Sequence, residues 1–230
     1  MKLITGDLSP YSAKVRMQLY AMGIDDVEFD LPASFLMGKL SAYSPIGRIP
    51  VLEVDQGIVP ESEVIAEYLD DCYPDRSLLG ESPWIRSQVR LISRIADVYL
   101  MNNIFMALPQ INRKTRVEAV RDLLTGQVVR GMGALEQHIG QGNYAVGNML
   151  TRADCTLVPA LFLCERTVPM LGVENPILAT TQVAAYWDKI QGNEFAAKVL
   201  DEMDRGLRER QDGTERKRIE AAIAKQKAQQ

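Results

Sequence analysis

The spacing of apolar positions changes near residue 80: before it, short runs of two-residue period alternate with stretches of helical period, and after it only the helical period is left. Lys2 to Thr5 predicts a short strand. Val15, Leu19 and Met22 mark one face of a helix that Gly23 can stop in the left-handed conformation. Val27, Phe29 and Leu31 alternate as strand residues, and the stretch from Pro32 to Tyr43 has room for a short helix. Ile49-Pro50-Val51-Leu52-Glu53-Val54 then predicts a strand, Asp55-Gln56-Gly57 its turn and Ile58-Val59 the returning partner. The next helix carries Val64, Ile65, Tyr68, Leu69 and Cys72 on its apolar face and ends at Pro74, so the predicted order is β-α-β-α-β-β-α.

Beyond Pro83 the pattern predicts helices over Trp84 to Met106, Lys114 to Ile139, Ala153 to Val168, Thr180 to Gln191 and Glu194 to Leu207. Pro74, Gly80 and Pro83 punctuate a polar stretch from Asp75 to Ser82, where a domain boundary is expected. The expected division is an α/β domain over 1–76, an all-helical domain over 83–207 and a charged tail over 208–230, either a solvated helix or a disordered end. Thr151-Arg152-Ala153-Asp154 fits a capping box ahead of an apolar run, which is a signal of local structure and not of catalysis.

Composition narrows the function classes. In 230 residues, 26 Lys and Arg stand against 30 Asp and Glu, a net charge of -4 that excludes a basic nucleic-acid footprint. With 47% apolar residues the chain can build packed cores. Its longest apolar stretches fall far short of the roughly 18 to 20 residues of a membrane span, and Met1 to Asp7 has no signal-peptide core, so a soluble cytoplasmic protein with no membrane partner is expected. Cys72, Cys155 and Cys164 form no CxxC pair and each is expected to be a small core hydrophobe. His138 is the sole histidine and is expected near a helix end, so no metal site is expected.

Candidate chemistry gathers in the first domain. Ser9-Pro10-Tyr11-Ser12 lies between the first strand and the first helix, where hydroxyls and N–H groups favour an anion: carboxylate, phosphate or thiolate. Serine stands where a redox loop would read Cys-Pro-Tyr-Cys, so disulfide exchange is excluded there. Ser9 and Ser12 either cap the helix or stabilise a bound thiolate. Pro50 opens a strand: with a trans bond it is an ordinary edge proline, and with a cis bond it turns the Ile49 N–H and C=O toward a ligand backbone. Pro60-Glu61-Ser62 opens a helix, either as a cap with a dipole-complementing acid or as a holder of a carboxylate and an ammonium.

The runs Ser9-Pro10-Tyr11-Ser12 through Val15-Arg16, Ser44 to Leu52, Glu61 to Leu69 and Gly147 to Asp154 together resemble the soluble glutathione S-transferase superfamily, with order and spacing matching over essentially residues 1 to 205. The resemblance implies a thioredoxin-like N-terminal domain, an all-helical C-terminal domain, a cis Ile49–Pro50 bond, commonly a homodimer, and a role for the capping box in folding the second domain. It implies glutathione as co-substrate, with Ile49 beside Pro50 for the cysteinyl backbone, Glu61 and Ser62 for the γ-glutamyl end, Arg48 adjacent, and Ser9 as the catalytic residue with Ser12 as runner-up. The second substrate would be a small hydrophobic electrophile, in a pocket around Tyr99, Asn102, Asn103 and Met106, residues explained equally well by interhelical packing. The chain lacks the active-site cysteine of omega- and beta-like members and the Ser-Ser-Cys run of the zeta class, which speaks against deglutathionylation and maleylacetoacetate isomerase readings. The rival expectation is a non-enzymatic member of the same fold that binds a protein partner, similar to stringent starvation protein A.

Overall fold

The computed structural model describes residues 1–31 and 44–227. The helix expected within Pro32 to Tyr43 lies outside them. Met1–Ser77 and Asp201–Gln230 form one compact unit, and Leu78–Leu200 forms a second. The division differs from the sequence expectation at one end, because residues 201–207 belong with the first unit and not with the helical one.

In the first unit, β1 (Lys2–Ile4) leads through α1 (Pro10–Ala21) to β2 (Glu28–Asp30), which pairs with β1 in parallel. β3 (Val51–Val54) lies antiparallel on the other side of β1, and β4 (Gly57–Pro60) returns from it across Asp55 and Gln56. The sheet order is β2-β1-β3-β4, followed by α2 (Ser62–Cys72), a thioredoxin-like arrangement. Neighbouring strand residues point to opposite faces, and Leu3, Ile4, Val51 and Leu52 are all at 0% exposure, so β1 and β3 are covered on both faces. α1 ends as expected: Gly23 takes φ +62, its N–H reaches the Tyr20 carbonyl, and that of Ile24 reaches Leu19.

Phe29 lies in edge strand β2 as expected, exposed and edge-on to Tyr20. Two expectations are corrected here. On α2, Ile65 and Leu69 are buried, whereas Val64 and Cys72 are exposed, because the buried stripe is narrower than the apolar pattern.

The helical unit contains α3 (Pro83–Ile95), a π-helical segment (Ala96–Met101), α4 (Asn102–Ala107), α5 (Glu118–His138), α6 (Arg152–Arg166) and α7 (Gln182–Ile190). Every residue of α6 from Arg152 to Cys164 is buried, so this helix is the middle of the core. Cys155 and Cys164 lie there as small hydrophobes, and burial pushes the Cys164 thiol up. His138 is exposed in the last turn of α5. The continuous helical run Pro83–Ile111 meets the length and composition of a membrane span, which the sequence pattern had not suggested, and half of its apolar window is buried. α8 (Glu194–Asp212) carries the chain back into the first unit, and α9 (Thr214–Lys227) follows.

Candidate functional site

The register of the sheet decides where the sequence-predicted site residues go. Ile4 of β1 pairs with Val51 of β3, which pairs with Pro60 of β4. The chain therefore leaves β1 into Thr5–Ser9, enters β3 from Arg48–Pro50 and leaves β4 into Glu61–Ser62, all at one end of the sheet. A Cβ on Gly6 would stand 3.2 Å from the Ile49 Cδ1, so the second segment packs directly on the first.

Ser9 is the N-cap of α1, partly exposed, with Pro10 preset for the first turn. Its Oγ accepts the Ser12 N–H at 3.3 Å, and its own O–H donates to no described residue. Ser12 lies one turn inside, fully buried, and its hydroxyl has no partner among the described residues. The Ile49–Pro50 bond is cis. Pro50 is buried, Ile49 half-buried and Arg48 exposed, and no backbone hydrogen bond joins Ile49 to another described residue.

Glu61 is the sole described non-glycine residue at positive φ, at φ 71 and ψ 121. Such a backbone costs roughly 1–3 kcal/mol and is kept where the surroundings enforce it, often at binding sites. No side chain caps α2 at Glu61, whose carbonyl accepts the first helical bond from the Ile65 N–H at 2.9 Å. The N–H groups of the first turn are thus left without a side-chain cap, next to the buried Ser62. Two polar ties hold α2 to α1: the buried Lys14 ammonium pairs with Glu63, and the Gln18 amide donates to the Ala66 carbonyl at 2.9 Å.

Sequence reasoning missed what fixes the first loop. Arg16, 2% exposed, donates from Nη1 to Thr5 Oγ1 at 2.8 Å and to the Gly6 carbonyl at 3.0 Å, and from Nη2 to the Asp7 carbonyl at 3.0 Å. Its Nε donates to Glu202 at 2.7 Å, and Glu202 also accepts the Tyr20 hydroxyl at 2.8 Å. Burial, then the hydrogen bond to Glu202, pushes the Tyr20 phenol well above its ordinary range. No local pattern signalled this, since Glu202 lies 186 positions from Arg16.

Elsewhere, Asn103 donates to the Val98 and Tyr99 carbonyls of the π-helical segment at 2.8 and 3.0 Å, so its amide satisfies backbone. Tyr99, Asn102 and Met106 are exposed. Among the described residues no group of His, Cys, Asp or Glu is placed to hold a metal ion.

Comparison with known proteins settles the lineage. The model of the glutathione S-transferase N-terminal domain matches residues 3–77, and that of the C-terminal domain matches 118–189. The chain belongs to the glutathione S-transferase superfamily. Among curated members, a maleylacetoacetate isomerase from Pseudomonas aeruginosa is 33% identical over 72% of this chain and 82% of its own length. A stringent starvation protein A homolog from Coxiella burnetii is 30% identical over 91% of this chain and 95% of its own. Among solved structures, a glutathione S-transferase of Methylobacterium radiotolerans in complex with glutathione sulfonate superposes with a TM-score of 0.75 at 19% identity, covering 86% of this chain and 93% of that one. At that identity the likeness speaks for the fold alone.

Proposed function

We propose that this glutathione S-transferase binds reduced glutathione across the three segments at the end of its sheet, holds the thiolate with the Ser9 hydroxyl, and adds it to a small hydrophobic electrophile. The observation that carries this reading is the convergence of a cap serine, Ser9, whose O–H has no described acceptor, an Ile49 backbone with no backbone hydrogen bond among the described residues, and a helix start without a side-chain cap at Glu61–Ser62. Ile49 offers an N–H and a C=O to the cysteinyl backbone. Ser62 and the α2 N–H groups suit the γ-glutamyl carboxylate, Glu61 suits its ammonium, and Arg48 stands at the exposed rim. Ser9 is preferred to Ser12 because its O–H is open to a ligand while Ser12 is at 0% exposure.

A hydroxyl that donates to the thiolate stabilises the charged form and lowers the thiol pKa. Moving a thiol from about 8.5 to about 6.5 takes roughly 2.7 kcal/mol and raises its ionised fraction at pH 7 to about three quarters. Conjugation is the default reaction. Cis-trans isomerisation uses the same thiolate, which adds to one carbon of a double bond and is expelled after rotation about the remaining single bond; the isomerase name of the Pseudomonas aeruginosa relative keeps this variant within the reading, despite the missing Ser-Ser-Cys run. The assembly is proposed to be a homodimer in the cytoplasm.

The second reading is a non-enzymatic regulator that binds a protein partner, supported by the length over which the Coxiella burnetii relative matches. Titration calorimetry with reduced glutathione, run beside S-hexylglutathione, separates the two. Micromolar to low-millimolar binding, tightened by the hexyl chain, supports the enzyme, and absence of binding to either compound supports the regulator.

A further inference from the structure

We propose that the Glu202–Gly206 stretch of α8 is a working part of the Ser9 site: it fixes the β1–α1 loop, and Arg16, Glu202 and Gly206 are positioning residues for thiolate stabilisation. This rests on the reading of Ser9 above. Three contacts come from one face of α8, at positions i, i+3 and i+4, and all lie within the first unit. Glu202 holds the Arg16 guanidinium, whose other N–H groups hold Thr5, Gly6 and Asp7. Arg205 forks onto the Asp7 carboxylate at 3.0 and 2.9 Å. Gly206 approaches so closely that an added Cβ would stand 2.8 Å from the Leu8 backbone N, a contact with main chain that no side-chain rotation relieves.

The path to Ser9 is short. The Gly6 carbonyl that accepts from Arg16 also accepts the Ser9 N–H at 3.1 Å, so one oxygen couples the guanidinium to the residue that presents the hydroxyl. Arg16 is almost fully buried and its planar fork meets three successive loop residues, which fixes direction as well as distance. The Asp7–Arg205 pair is more exposed and screened by salt, so it is the weakest of the three contacts. Positional demands of this kind are steep, since a small misplacement of a donor loses most of its effect on a developing or bound charge.

The test is the thiol pKa of glutathione bound to the full chain, read from ultraviolet thiolate absorbance against pH, together with glutathione affinity and melting temperature. Glu202→Gln keeps the shape and one acceptor. Gly206→Ala raises helix propensity while it displaces the loop. Both are expected to raise the bound thiol pKa by at least about half a unit, a threefold loss of thiolate below that pKa, with glutathione affinity changed less than about threefold. Arg205→Ala, the mildest change, is expected to move the pKa in the same direction by less, and it serves where the other two do not fold. Ser9→Ala is measured alongside. If Ser9→Ala raises the thiol pKa and the folded α8 variants leave it at the wild-type value, α8 is a structural clasp and the inference is overturned while the Ser9 reading stands. If Ser9→Ala itself leaves the pKa unchanged, both fall.

Discussion

Three helix starts in this protein carry cap-type polar residues and end in opposite states. At the start of α6, Asp154 is fully buried and both of its oxygens are used twice: its Oδ2 accepts from the Thr151 N–H at 2.8 Å and hydroxyl at 2.9 Å, and its Oδ1 from the Ala145 N–H at 2.7 Å and the Tyr186 hydroxyl at 3.1 Å. Burial pushes the Asp154 carboxyl up and these hydrogen bonds pull against it. At the starts of α1 and α2, by contrast, Ser9 keeps an O–H with no described acceptor and Glu61 provides no side-chain cap. A closed start contributes to the fold, whereas an open one leaves its donors for something else. The distinction is invisible in the motifs themselves.

The comparison can be broken at its closed end first. Asp154→Ala strands the Tyr186 hydroxyl and the Ala145 N–H in the core and is expected to cost at least about 3 kcal/mol, measured by urea denaturation. A loss below about 1 kcal/mol would show that α6 does not depend on its cap. At the open end, Ser9→Ala is expected to lower kcat/KM about twentyfold at pH 7, close to 2 kcal/mol, while loss of the helix cap costs about 1 kcal/mol of stability and lowers the melting temperature by only a few degrees. That deficit should shrink as pH rises past about 8.5, where the thiol ionises unaided, and a deficit independent of pH would remove Ser9 from thiolate stabilisation. Ser62→Ala is expected to weaken glutathione binding about tenfold with kcat held within about twofold, and titration calorimetry with steady-state kinetics separates the two quantities.

The smallest effect belongs to a fourth helix start. Glu136 of α5 accepts the backbone N–H groups of Thr181, Gln182 and Val183 at 2.9 to 3.0 Å and so caps α7. Burial works upward on the Glu136 carboxyl, but the N–H donors of Gln182, Val183 and Thr181 together outweigh it and hold the carboxyl below its ordinary range. A carboxylate lowered in the folded state contributes stability that is present above its unfolded pKa and lost as pH falls through the folded value. Glu136→Gln is therefore expected to cost about 1 kcal/mol or less at pH 7, and thermal melts of the two proteins should converge below about pH 4.

The strand order and the loops that carry Ser9, Pro50 and Ser62 were legible because turn and cap residues act locally: Gly23, the Asp55-Gln56-Gly57 turn and the Thr151–Asp154 box all do what their residue types imply. Lys14, Arg16 and Gln18 were not legible as buried residues. Their partners Glu63, Glu202 and the Ala66 carbonyl lie 48 to 186 positions away, and no helical period announces such a pairing. The same reason accounts for Val64 and Cys72, whose apolar character placed them on the wrong side of α2, and for residues 201–207, whose periodicity said helix without saying which unit the helix would join. The π-helical segment at Ala96–Met101 follows from packing rather than propensity, with Gly131 admitting the Tyr99 backbone and Cβ at close range.

The first unit is discontinuous along the chain, and that has a consequence for how the protein is made. Residues 1–77 leave the ribosome early, but Glu202, Arg205 and Gly206 follow only after the entire helical unit has been synthesised. Until then Arg16 has no carboxylate at its Nε and the loop before Ser9 has no helix against it. A nascent or truncated chain ending near residue 200 would lack the brace, so the loop before Ser9 acquires these contacts only once α8 has been translated.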